Sequence, residues 1–568
     1  MGFLKKTVAA IFIVISSESL AQNNIRPSAE NLPSPADIGR YVQEQKRPAQ
    51  NFETYSLSQS LINKKIEIPD DTKNVKFVLN KLIIEGVEKF TFEELEPIYK
   101  GLLGQEVSLY DIWQIAEKIT KYYQDRGYFI SRASVVGSQM SSRGIFKIKI
   151  IEGYVGQLFL DDKAEKIPTI ANLVKKLKLE KPLNIKNLEK TLLIINDLPS
   201  YSFQSIIEPI KNNGTGAIKL SIISKKKEGS GKISFNNHNP KFIGTHQLSA
   251  SYSKSFTDLS KTSVSYTTSA PVGELQFFNI AHDITILPTL TVGFYGGKAD
   301  MELGSSLKEF GITSEATSFG LNVTKKIIRQ RQENFSIKFN LDNTNISSDI
   351  NLFSKPLARE KNREAKLSFL YDRSDPLGGY NYLDTTITRG LNFFGASERG
   401  DEFLSRQKVN PDYNKIEFRL NRFQNFGRSW STTLSSEMQF ASGRLYSSGR
   451  MAYGGQSFGR AFDNSEVTGD NGIIMGTEIR YLSIPKISLP ILKRTSLIPY
   501  AYYDIGRLWD VGENAQILSS IGEGFRVESN FGLGANFLIA NPISDRGSFV
   551  NYFEHKDPRY LIEVFYKF

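Results

Sequence analysis

Arg460 stands alone between aromatics in Tyr453-Gly454-Gly455-Gln456-Ser457-Phe458-Gly459-Arg460-Ala461-Phe462-Asp463, a stretch that runs on through Glu466-Val467-Thr468-Gly469-Asp470-Asn471-Gly472. Its chemistry is ion pairing, because a guanidinium carries a rigid fork of donors that meets a carboxylate more strongly and directionally than a neutral group does. The glycines suit a long loop folded into a confined polar space, since glycine permits close backbone approach. Taken alone, the residues equally fit a solvated arginine paired with Asp463 or Glu466 inside a wide loop.

No other set of groups assembles a reaction. Gly293-Phe294-Tyr295-Gly296-Gly297-Lys298 is one residue short of a phosphate-binding loop, and Ala299 replaces the required Ser or Thr. His238, His246, His282 and His555 are too scattered for metal ligation. Asp372 and Asp375 precede Pro376 and two glycines, which mark a strand leaving for a turn. With no cysteine in the chain, thiolate metal sites, cysteine nucleophiles and disulfides are excluded. The sequence therefore predicts no enzyme, no cofactor and no metal site.

The elements that must position the loop emerge from composition and alternation. Aromatics make up 12% of 568 residues, with 25 Tyr, 38 Phe and 43 Gly, and mean hydropathy is below zero. No apolar run of spanning length follows the N-terminus, which excludes helical spans. A transmembrane barrel fits this composition, because each strand shows lipid only its alternate residues. Lys5 and Lys6, the apolar Val8–Ile15 and Ser19-Leu20-Ala21 have the layout of a signal peptide over 1–21. The remainder carries 69 basic and 59 acidic residues, with no dense basic tract interleaved with stacking aromatics, so no nucleic-acid partner is expected.

Residues 22–75 contain Pro27, Pro33, Pro35, Pro48 and Pro69 and read as linker. A short helix at about 35–47 is supported by Pro35 and Asp37 near its start and by Ile38, Tyr41 and Val42 on one face. Two successive units follow, at 76–154 and 155–228, each ordered strand, helix, helix, strand, strand. In the first the helices are placed at Phe92–Tyr99 and Leu109–Arg126, with Gly127 as a C-terminal stop. From 229 to 568 about sixteen alternating segments suggest a closed antiparallel barrel, with a long loop at about 443–471. Its last strand places Tyr560, Ile562, Val564, Tyr566 and Phe568 on one face. Parity turns Ile474, Gly476, Glu478 and Arg480 inward, and likewise Tyr500, Tyr502, Asp504 and Gly506.

In combination these features resemble the two-partner secretion transporters, the TpsB-type or haemolysin-activator family, within the superfamily of barrels that carry periplasmic POTRA domains. Phe458-Gly459-Arg460-Ala461-Phe462 is similar to the family's Val-Arg-Gly-Tyr/Phe loop core, with Gly459 for Val and Ala461 for Gly, and Thr468-Gly469-Asp470-Asn471-Gly472 matches the step that follows it. Tyr503-Asp504-Ile505-Gly506 resembles its wall motif, and Leu188–Pro199 its second POTRA helix and exit turn. The resemblance implies a mixed fold of two small α+β POTRA domains followed by a barrel of about 16 strands, with an N-terminal plug helix. It pairs Arg460 with Asp504, Gly506 completing the wall motif, and leaves Glu478 as the alternative carboxylate. Phe568 and its strand resemble an outer-membrane sorting signal. The implied function is secretion of a large partner exoprotein, an adhesin, haemolysin or contact-dependent toxin, across a Gram-negative outer membrane. Lipid and the barrel-assembly machinery are the other implied partners, with an insertase or a passive porin as alternative functions.

Overall fold

The computed structural model describes residues 33–45, 70–135, 144–210, 216–270, 272–409, 411–484, 486–489, 493–543 and 557–568. The expected signal peptide and residues 46–69 of the expected linker lie outside them. The chain divides into two compact units, one holding the residues before 51 and the barrel, the other the two α+β modules.

Within the module unit, both halves share one topology. In the first, Lys81–Glu85 and Arg132–Val135 flank the central Ile145–Ile151, parallel on one side and antiparallel on the other. Leu109–Asp125 covers this sheet with Ile112, Ile115, Ala116, Ile119 and Tyr123, a spacing of three and four that keeps them on one helical face. Ser108 and Asp111 form a capping box at its start. The helix expected over Phe92–Tyr99 stops at Leu95 and continues as a 3-10 turn over Glu96–Ile98, because Pro97 has no N–H to donate to the preceding turn. In the second half Tyr154–Leu160 and Tyr201–Pro209 flank Ala217–Lys226. Helices Pro168–Lys178 and Ile185–Asn196 belong to the same half. The Gly127 carbonyl accepts the Ile185 N–H at 2.8 Å, and the Gly127 φ of +92° suits a glycine.

Asp161 ties this second half together. One carboxylate oxygen caps Asp162–Lys166 at Ala164 N (2.8 Å), and the other accepts Ser224 N and Oγ, both at 2.7 Å. Burial raises the Asp161 carboxyl pKa, but these bonds outweigh it and hold it below the usual carboxylate value. The depressed value makes its contribution complete above about pH 4 and lost as the pH falls through the folded-state pKa. Asp161→Ala should cost about 1–2 kcal/mol at neutral pH, read as faster hydrogen exchange across Ala217–Lys226 in the full-length chain.

The barrel closes from sixteen long strands among the described residues. In chain order β1 to β8 are Ser230–Asn236, His246–Thr257, Ser260–Ala270, Leu275–Leu287, Leu290–Glu302, Ile312–Arg329, Glu333–Ile350 and Lys355–Ser374. β9 to β16 are Gly379–Gly390, Asn414–Phe426, Trp430–Ala441, Asn471–Tyr481, Lys493–Trp509, Gln516–Ser529, Leu533–Pro542 and Arg559–Lys567. Closure leaves no free sheet edge, which is what lets strands cross hydrocarbon. No helix among the described residues is long and apolar enough to cross a membrane. Short turns such as Asp258-Leu259 and Pro288-Thr289 join strands at one end, and long loops lie at the other. Alternation sorts the faces: on β4 Phe277 is buried inside while Phe278 is exposed outside. Charges on the inner wall pair with one another, as where Lys366 bridges Asp342 (2.8 Å) and Glu364 (2.7 Å). β8 starts eight residues before the expected 363, because beyond Leu357 and Ala358 its first half is charged and amide side chains and shows no apolar alternation.

Candidate functional site

The loop between β11 and β12 folds back into the lumen. It holds a short hairpin, Met451–Tyr453 against Val467–Gly469, beyond which the chain turns through positive-φ Gly454, Gly455 and Gly459. These glycines are sterically required, since a Cβ on Gly454 would meet the Asp463 carbonyl oxygen at 2.0 Å and one on Gly459 the Tyr453 ring at 2.5 Å. The wall is cut to receive the loop as well. A Cβ on Gly506 would strike the Tyr453 ring at 2.5 Å, and one on Gly476 would meet Asp504 Oδ1 at 2.7 Å and Phe458 at 3.1 Å. Phe458, Ala461 and Phe462 are buried with Tyr453 against Ile474, Tyr500 and Tyr502 of β12 and β13.

Arg460 lies within this packing with its guanidinium 4.1 Å from the centre of the Tyr502 ring. Its Nη1 donates to Glu478 Oε2 at 2.8 Å. Asp504, expected as the partner, is 3.5 Å from Nε, beyond a good charge-assisted bond. Asp504 Oδ2 instead accepts the Gly459 N–H at 3.0 Å. Arg460 thus hydrogen-bonds the carboxylate of Glu478 and keeps that of Asp504 as a longer ion-pair partner. Both point inward on neighbouring strands, with Gly476 opposite Asp504 and Glu478 opposite Tyr502. The arginine stacked on Tyr502 reaches the carboxylate beside that ring, while Asp504 meets the backbone one residue earlier.

Glu478 gathers further cations. Arg526 Nη1 and Nη2 reach its two oxygens at 2.7 and 3.0 Å, and Arg480 Nε donates at 2.6 Å. Arg526 is stacked in turn on Tyr500, at 4.2 Å. Sequence reasoning missed Arg526, whose inward parity on β14 was the available signal. Seven residues along β12 separate Glu478 from Asn471, so the tip contact lies about 23 Å along that strand from its start at ~3.3 Å per residue.

A second charge cluster fixes the base of the loop. Asp470 is fully buried, and its Oδ1 accepts Arg406 Nη1 (2.7 Å) and Leu445 N (3.0 Å), while Oδ2 accepts Val511 N at 3.2 Å. Asp510 accepts Asp470 N (3.0 Å) and pairs with Arg450 and Arg406, at 2.7 and 3.0 Å. Arg406 comes from the long loop between β9 and β10, so three segments meet here. The sequence offered Asp470 as part of a motif and no sign of Arg406 or Asp510.

The helix α1, Ile38–Gln45, is also inside the barrel. Ile38, Tyr41 and Val42 pack on inward residues that include Phe277, Met301 and Ile346, and Gln247 donates to Tyr41 Oη at 3.1 Å. Its other face touches the loop: Glu44 accepts from Asn464 and Ser465, and Arg40 Nη1 donates to the Ser447 carbonyl at 3.5 Å. Tyr41→Ala removes a buried aromatic worth about 3–5 kcal/mol and should raise the fraction of time for which the barrel conducts in planar bilayers. An unchanged conducting fraction would show that α1 does not limit the passage.

On the final strand Tyr560, Ile562 and Val564 face outward, and the Tyr566 ring is 5.9 Å from that of Phe568. Among the described residues no His, Asp and Glu cluster has an arrangement suited to a metal ion.

Comparison with known proteins agrees with this architecture. The family described as haemolysin secretion/activation protein ShlB/FhaC/HecB matches residues 289–527, and the ShlB-type POTRA domain matches 77–153. The heme/hemopexin transporter protein HuxB of Haemophilus influenzae is 22% identical, with 83% of this chain and 85% of that protein covered. The outer membrane transporter CdiB of Dickeya dadantii is also 22% identical, over 76% of this chain and 78% of its own length. The solved structure of CdiB from Escherichia coli has a TM-score of 0.68 at 18% identity, covering 93% of this chain and 95% of that one.

Proposed function

We infer, from the premise that this chain belongs to the haemolysin secretion/activation family and is an outer-membrane two-partner secretion transporter with periplasmic POTRA domains, that its cargo is one large adhesin, haemolysin or contact-dependent toxin. The supporting observation is the double occupancy of the lumen. α1 and the loop both fill it, and they touch each other through Glu44. A passive porin has no use for such a stopper, and the family match favours secretion over an insertase.

The POTRA domains recruit the extended cargo by strand addition, for which Tyr201–Pro209 has one open side. α1 then leaves the lumen and the cargo crosses it, while the loop, held by Arg460, stays on the wall. Folding of the cargo outside removes the unfolded form and biases the exchange outward. The transporter itself has no catalytic step to perform. We assign it lipid as its surroundings and the barrel-assembly machinery as the partner that inserts it.

A photo-crosslinking residue at Ile206, an exposed position on that edge strand, should capture one large polypeptide whose size matches a protein in the culture supernatant. Capture of many outer-membrane barrels instead would indicate an insertase.

A further inference from the structure

The seam where β16 meets β1 closes the barrel over a short ladder. β1 and β16 share five register pairs, Asn236↔Glu563 through Lys232↔Lys567. β1 has seven pairs with β2, and β16 has eight with β15. β15 follows β16 up to Arg559, but the register pairs with β1 end at Glu563, followed by one long backbone bond from Asn237 N to the Ile562 carbonyl at 3.3 Å. Above that level side-chain bonds supplement it. The Asn237 carboxamide accepts Ile562 N at 2.8 Å and donates to the Tyr560 carbonyl at 2.9 Å.

The tip of the inward loop touches both sides of this short seam. On the β1 side the Gln456 carboxamide is bonded to the His238 ring, two residues beyond β1. On the β16 side Asp463 Oδ1 pairs with Arg559 Nη2 at 3.0 Å, and Arg559 Nη1 donates to the Phe462 carbonyl. Arg559 and Asp463 are both largely buried, so their pairing is poorly screened. The loop is itself fixed to the wall at Glu478 and at Asp470, and can therefore act as a rigid strut.

We propose that the loop tip braces the β1–β16 seam from within, with Arg559 as the positioning residue on the final strand. Retention of the loop and closure of the barrel are then a single equilibrium. Withdrawal of the tip loosens the seam above Glu563, where an open edge would present unpaired backbone groups to lipid. This brace is independent of the identity of the cargo.

The test uses the full-length chain, whose lack of cysteine makes introduced pairs unambiguous. Arg559→Gln and Asp463→Asn should each lower the temperature at which the compact, fast-migrating form in detergent gels converts to the unfolded form. A disulfide across the seam, through Phe235→Cys with Val564→Cys, should restore it and reductant should abolish the rescue. The same kind of bridge between β14 and β15, through Phe525→Cys with Phe537→Cys, should not. Should Arg559→Gln fail to assemble, Asp463→Asn alone decides. An unchanged conversion temperature, or equal rescue by both bridges, would overturn the proposal.

Discussion

Glu478→Ala should reduce secretion at least tenfold while the sixteen-strand barrel still assembles. Glu478 is the carboxylate on which Arg460, Arg480 and Arg526 converge. Its removal leaves three guanidinium groups facing one another with Asp504 as the adjacent acid, 3.5 Å from Arg460. Loss of one member of a buried ion pair costs about 3–5 kcal/mol, which corresponds to upwards of about a hundredfold in the loop-in population. The strand ladder is backbone-bonded and does not depend on this side chain, so the loop is the part that gives way. Asp504→Asn should be milder, because an amide oxygen still accepts the Gly459 N–H. Equal membrane abundance on immunoblots, together with faster proteolysis in the 453–466 stretch, would distinguish loop release from misassembly.

Asp470→Ala should act earlier, on assembly. Asp470 takes three hydrogen bonds with no solvent contact, and Arg406, itself almost fully buried, would lose that acid and keep Asp510. The cost is again about 3–5 kcal/mol, but here it falls where the loop base, the β9–β10 loop and the start of the β13–β14 connection are joined. The expected result is a severalfold fall in the heat-modifiable, folded form recovered from membranes. Asp470→Asn should fall between Ala and the parent, since it keeps the shape and one acceptor but loses the charge. Normal amounts of folded barrel with Asp470→Ala would show that the base cluster is dispensable.

The contrast between these two sites also shows what a sequence can reveal. Alternation exposes strand faces, because a barrel wall between lipid and a polar lumen imposes a period of two; Met475 and Ile479 outside and Ile474 and Glu478 inside follow from it directly. Aromatics and glycines marked the loop, since a chain packed against a wall needs both contact area and close approach. Parity gives the face of a residue but not the reach of its side chain, and so it left Glu478 and Asp504 as competitors for Arg460. The pairings of Arg406, Arg526 and Arg559 were illegible for a related reason: their partners are 64, 48 and 96 residues away, brought near by the register of strands and by loops. The first half of β8 was missed where charged and amide residues follow Leu357 and Ala358 and the period vanishes.

The most direct measurement compares the culture supernatants of cells carrying the parent chain, a deletion of it, and Arg460→Ala at equal membrane abundance, in a strain that makes an export partner. Loss of one large protein from the deletion supernatant, and a strong reduction of that same protein with Arg460→Ala, is the predicted result. An identical supernatant in all three would contradict a dedicated secretion pore held ready by its loop arginine.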